Sequence, residues 1–118
     1  MALVAFYPSQ DLVANRAFFE GLLGLPLVRD QGVCLIYKVA DKAYVGFCSH
    51  LEAVNTPNSI IITLVHEDVD GEYQRYQARG IPNDGPPRLN ERYGIYHFFA
   101  HSPEGYRVEV QRFNEALA

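Results

Sequence analysis

Apolar and polar positions along the chain follow a pattern that is written twice. Leu3 to Tyr7 reads as a strand, and from Asp11 the residues Leu12, Ala14, Phe18, Phe19, Leu22 and Leu23 recur at helical spacing as far as Gly24-Leu25-Pro26. Three strand-like runs follow, Leu27 to Asp30, Val33 to Val39 and Ala43 to Ser49, the last two joined by the short Ala40-Asp41-Lys42 turn. The second copy opens with Ser59 to Val65, rich in β-branched residues, and continues with a helical pattern from Asp68 through Val69, Tyr73 and Tyr76 to Gly80-Ile81-Pro82. A weak strand near Pro87 to Leu89 precedes two stronger ones, Gly94 to Ala100 and Tyr106 to Arg112. In each helix an aspartate is placed to cap the first free amides, a glycine to take the left-handed exit, and a proline to stop the helix from continuing.

From Asp11 to Asp68 is 57 positions and from Gly24 to Gly80 is 56, about half of the 118 residues, so the chain reads as one duplication and not as a repeat array. The expectation is an α+β fold in a single domain, residues 1–118. A first βαβββ half (1–49) and a second (59–118) are joined by a linker (50–58) whose Asn55-Thr56-Pro57-Asn58 is made of turn residues. Two such halves predict a curved eight-stranded mixed sheet around a cavity, with one helix per half on its outer face. A ferredoxin-like sandwich is the alternative, but it uses four strands and leaves about half the hairpins without a place.

Composition narrows the function classes. With 48% hydrophobic and 20% charged residues the chain is ordinary for a packed globule. A formal charge of -4, without clusters of Lys and Arg, argues against nucleic acid and anionic membrane surfaces as partners. No apolar run is long enough to span a bilayer, and Met1-Ala2-Leu3-Val4 lacks the basic start of a signal peptide, so a cytoplasmic location is expected. Cys34 and Cys48 are too few for a disulfide framework and read as two buried thiols, although a hairpin through Ala40-Asp41-Lys42 would set them opposite each other and leave a bridge geometrically open. There is no GxGxxG, no phosphate-binding P-loop and no GxSxG elbow.

Two segments carry a family likeness. Gly94 to Gln111 holds a strand, a Ser102-Pro103-Glu104-Gly105 turn and a strand bearing Glu109; Asp11 to Leu25 contains Ala17-Phe18-Phe19 and Gly21-Leu22-Leu23-Gly24-Leu25. The first resembles the final hairpin, and the second the first helix, of the glyoxalase, bleomycin-resistance and dioxygenase (vicinal oxygen chelate) superfamily. That resemblance implies small-molecule binding or catalysis, pockets often completed in a homodimer, and in metal-dependent members four ligands on the first and last strands of each half. Those positions fall at about Val4, Gly46, Ile61 and Glu109, of which three carry no donor, so no cofactor is expected.

Candidate chemistry therefore centres on Glu109 and on His97, a strand histidine suited to proton transfer near neutral pH. His97 and Phe99 share one strand face by alternation. Tyr37, Tyr44, Phe47 and Phe99 are the expected aromatic wall of a pocket, although an aromatic on a strand is also ordinary core, and the superfamily resemblance implies that the loop holding Arg92 and Tyr93 borders its mouth. His66, beside a helix start, is expected to be structural, and His50 and His101 to face solvent. The leading expectation is a metal-free protein that binds a planar or aromatic small molecule. The rival is a lyase, isomerase or dioxygenase using Glu109 with His97, with a divalent metal admitted at other positions; a partner-binding module without a ligand comes third.

Overall fold

The computed structural model describes residues 1–117, which divide into two units, Met1–Pro57 and 58–117. The first unit holds β1 (Leu3–Pro8), α1 (Leu12–Arg16) running on into a π-helical segment Ala17–Leu22, then β2 (Leu27–Asp30), β3 (Cys34–Ala40) and β4 (Ala43–Cys48). The second holds β5 (Ile61–Val65), α2 (Val69–Ala78), β6 (Arg88–Asn90), β7 (Ile95–His101) and β8 (Arg107–Phe113). Both units are βαβββ, and the strand orders β1-β4-β3-β2 and β5-β8-β7-β6 are the same order written twice. In each, the first strand runs parallel to the last, and the remaining pairs are antiparallel.

The helices begin where the sequence places their caps. The Asp11 side chain accepts from the Ala14 amide at 3.0 Å, and that of Asp68 from the Gly71 amide at 2.9 Å, each satisfying an amide the helix leaves free. Both helices stop at a glycine with positive φ, Gly24 at 74° and Gly80 at 67°. The first helix widens after Arg16, with the Leu23 amide bonded to the Phe18 carbonyl at 2.8 Å. That widening turns the adjacent Phe18 and Phe19 both inward, where their rings meet edge-on at 4.9 Å.

Helix and sheet in the first unit close over an aromatic core. Phe19 stacks on Phe47 at 4.4 Å, and Tyr37 lies 6.0 Å from Phe19, its hydroxyl donating to the side-chain oxygen of buried Asn15 at 3.1 Å. Tyr37 and Phe47 are both 0% exposed. Burial pushes the Tyr37 phenol up to about 12, because the phenolate would have to form without water around it. In the second unit Val108 and Val110 of β8 face α2, and Phe98 meets Tyr73 and Tyr76 edge-on at 5.3 Å each.

Cys34 and Cys48, expected as free thiols, form a disulfide. The register of β3 and β4 pairs the two residues directly, with their Cα atoms 4.1 Å apart. Such facing positions without a direct ladder hydrogen bond bring side chains closest together in an antiparallel pair. Among the described residues no helix is long and apolar enough to cross a membrane.

Candidate functional site

One face of each sheet is covered by its helix, so the site must be sought on the other. In the second unit, strand alternation puts Thr63 of β5, His97 and Phe99 of β7, and Glu109 of β8 on that open face. Thr63 is the register partner of Glu109 across the parallel pair, and Phe99 its partner across the antiparallel one, with His97 on the diagonal. Glu109 is 8% exposed, and both of its oxygens are engaged. The Thr63 hydroxyl donates to Oε1 at 2.7 Å, and Nδ1 of His97 lies 2.6 Å from Oε2.

This arrangement sets the tautomer of His97. A carboxylate only accepts, so the proton of the contact belongs on Nδ1, and a neutral ring then presents Nε2 as an acceptor. His97 borders a cleft of roughly 200 Å³ together with Asp84, Gly85, Pro86, Arg88 and Phe99. The far wall is held by the edge of β7: the Asp84 amide donates to the Phe99 carbonyl, the His101 amide to the Pro82 carbonyl, and the Asp84 carboxylate meets His101 Nε2 at 2.6 Å. Arg88 is the register partner of His97 across β6 and β7, so the two side chains leave the same face of the sheet, and Arg88 lines the cleft with it. Phe99 lies edge-on to His97 at 5.2 Å and carries the Arg107 guanidinium 5.1 Å from its ring centre. The cleft thus combines an aromatic ring, an oriented imidazole and a cation.

The residues singled out from sequence separate into four groups. Glu109, His97 and Phe99 come together in this site. Tyr37 and Phe47 lie on the helix-covered side instead and, being fully buried, present no surface to a ligand; their strand positions point opposite to those of an open-face wall. Tyr44 is on the open face of the first sheet, in a shallow depression with Val4, Val28, Ile36 and Lys38. Arg92 and Tyr93 form a cation–π pair of their own at 5.4 Å in the turn after β6; Tyr93 borders a depression with Leu89 and Phe113. Thr63, Asp84 and Arg88 are the site residues that sequence reasoning missed. Thr63 left a faint signal as the one hydroxyl among Ile61-Ile62-Thr63-Leu64-Val65, whereas Arg88 gave none, lying behind Pro86-Pro87 in a three-residue strand.

A metal site of the kind the superfamily resemblance suggests does not fit these residues. Glu109 is already held by Thr63 and His97. Gly46, on the last strand of the first half, offers no donor, and the Phe6 ring occupies the space above it: a Cβ there would lie 2.5 Å from ring carbons. His66 is structural, its Nδ1 accepting from the Asp68 amide at 2.9 Å ahead of α2. His101, expected in solvent, is tied to Asp84.

No family model and no curated protein matches the sequence. Solved structures do match in fold. A glyoxalase/bleomycin resistance protein/dioxygenase from Nocardioides superposes with a TM-score of 0.80 at 16% identity, over 98% of this chain and 85% of that one. A glyoxalase/bleomycin resistance protein from Catenulispora acidiphila gives 0.76 at 17%, over 95% and 97%. A lactoylglutathione lyase from Agrobacterium tumefaciens gives 0.74 at 21%, over 95% and 92%. With the duplicated βαβββ units and their shared strand order, these likenesses show that the chain has the fold of the glyoxalase/bleomycin resistance protein/dioxygenase, or vicinal oxygen chelate, superfamily.

Proposed function

We propose that this chain is a metal-free small-molecule-binding protein whose ligand is a planar or aromatic anion, seated in the cleft beside His97. The observation that carries this reading is the Thr63–Glu109–His97 relay. It spends a nearly buried carboxylate on holding one imidazole in one orientation, with Nε2 left for a ligand next to Phe99 and Arg88. A flat ring fits against Phe99, an anionic group against the Arg88 guanidinium, and a hydroxyl or N–H of the ligand donates to Nε2.

The test is an NMR titration with hydroxybenzoates and related aromatic carboxylates. Shifts confined to His97, Phe99 and the 84–88 segment are expected, and Arg88→Ala should weaken binding by about tenfold or more, the usual scale of a charge-assisted hydrogen bond. Shifts centred elsewhere, or none across the whole series, would overturn the assignment.

The same relay favours one rival reading, an enzyme in which His97 takes a proton from bound substrate while Glu109 stabilises the imidazolium. His97→Ala separates the two, because it removes turnover while leaving most of the affinity if His97 is a base. We also propose that the chain associates as a homodimer, since β2 and β6 leave one edge of each four-stranded sheet unpaired within its own unit. Light scattering should then give about twice the 13.3 kDa of one chain, and a monomer mass at high concentration removes the idea.

A further inference from the structure

Far along the chain from His97, a second cluster of chemistry lies wholly within the first unit. Cys34 opens β3, Cys48 closes β4, and His50 stands two residues past Cys48 in the turn that follows. The Ser49 amide donates to the Val33 carbonyl at 2.8 Å, which fixes the start of that turn against the strand end and carries His50 back over the cysteine pair. His50 Nδ1 lies 3.8 Å from Cys34 Sγ, and the two sulfurs and the ring nitrogen all fall within 4.8 Å of one another. Both sulfurs are buried and the imidazole is exposed, so the cluster opens to solvent on its histidine side.

We propose that Cys34, Cys48 and His50 form a redox-gated site for a thiophilic divalent cation, Zn²⁺ by preference. In the oxidised state seen here the sulfurs are consumed by their mutual bond and no metal binds. A dithiol reductant delivers two electrons and two protons to that bond, becoming a disulfide itself and leaving Cys34 and Cys48 as thiols. Zn²⁺ then displaces the two thiol protons as two Zn–S bonds and one Zn–N bond to neutral His50 form, with water at the fourth position.

The geometry suits the ion with little movement. Tetrahedral zinc with its usual bond lengths places ligand sulfurs about 3.8 Å apart and sulfur and nitrogen about 3.5 Å apart. The distance from Cys34 Sγ to His50 Nδ1 is already 3.8 Å. The sulfur–sulfur separation must open once the bond is reduced, which rotation about the two Cα–Cβ bonds allows, and Cys48 Sγ, within 4.8 Å of His50 Nδ1, must settle at bonding geometry with it. The donor set of two thiolates and an imidazole is the one that selects zinc over magnesium or calcium. It shares no residue with the positions at which the superfamily resemblance implies a metal.

Cobalt serves as the visible probe. The full-length protein is reduced with a phosphine, freed of reductant under anaerobic conditions, and titrated with Co²⁺. One equivalent should produce thiolate-to-cobalt charge-transfer absorption and the intense visible bands of a tetrahedral ion, both abolished by Zn²⁺ and both missing from the oxidised protein. Cys48→Ser should remove the charge-transfer band or most of it. His50→Ala, at an exposed position that leaves the core intact, should weaken cobalt binding by about tenfold or more, at least the cost of disturbing a ligand's support. A reduced wild-type chain without charge-transfer absorption, or a His50→Ala protein that binds as tightly as wild type, overturns the proposal.

Discussion

Glu109→Leu is expected to lower the unfolding free energy by about 2–3 kcal/mol, and combining it with His97→Leu to restore part of that loss. The carboxylate is the acceptor for both the Thr63 hydroxyl and the His97 Nδ1 proton, at 2.7 and 2.6 Å, and it is nearly buried. Removing it leaves two donors facing an apolar side chain, each costing about 1–3 kcal/mol when buried without a partner. Removing His97 as well deletes one of those orphans. Urea denaturation of the wild type, both single variants and the double variant measures the coupling directly. If the four free energies simply add, Glu109 and His97 do not act as a coupled pair. The imidazole ¹⁵N spectrum supplies a second readout. The wild type should show a single neutral tautomer with its proton on Nδ1, and Glu109→Leu a mixture.

Phe19→Ala should cost about 3–5 kcal/mol, the largest effect of any single truncation proposed for this chain, while Val13→Ala in the same helix stays within about 0.5 kcal/mol. Phe19 is 1% exposed and touches Phe18, Tyr37 and Phe47, whereas Val13 is 83% exposed. Truncation at Phe19 removes the ring's transfer energy and opens a hole between helix and sheet that Tyr37, tied to Asn15, cannot move to fill. Chemical denaturation gives both numbers. A loss under 1 kcal/mol at Phe19 would mean that the widened helix does not press this ring into the core.

Much of the architecture was legible before any coordinates. Aspartate caps and glycine stops at Asp11, Gly24, Asp68 and Gly80 act within a few residues of themselves, so their meaning survives without tertiary context. The patterns of apolar and polar residues located all eight strands and both helices to within about two residues, a normal margin for element ends; the π-helical widening at Ala17–Leu22 left no local mark. The likeness of Asp11 to Leu25 and Gly94 to Gln111 to a known superfamily pointed to the fold that the superpositions show.

The site was legible only in part. Glu109 and His97 stood out as polar residues among apolar strand neighbours, and alternation alone placed His97 with Phe99. Whether Glu109 shared their face depended on the register between β7 and β8, and a shift of one residue would have turned it to the other side. Tyr37 and Phe47 fell to the same ambiguity in the opposite direction: aromatic residues mark a pocket wall and a core equally well, and the side covered by a helix decides between them.

The chain sequence therefore settled what short-range forces control, namely where each helix starts and stops, that the pattern is doubled, and which polar residues are candidates for chemistry. Tertiary structure alone decided the contacts between residues distant in the chain. Thr63 meets Glu109 across 46 positions, and Cys34 meets Cys48 across 14, because strand pairing brings them face to face. Such pairings depend on register and on which face each helix covers, both set by burying the largest apolar area over the whole unit and not by any residue's own preference.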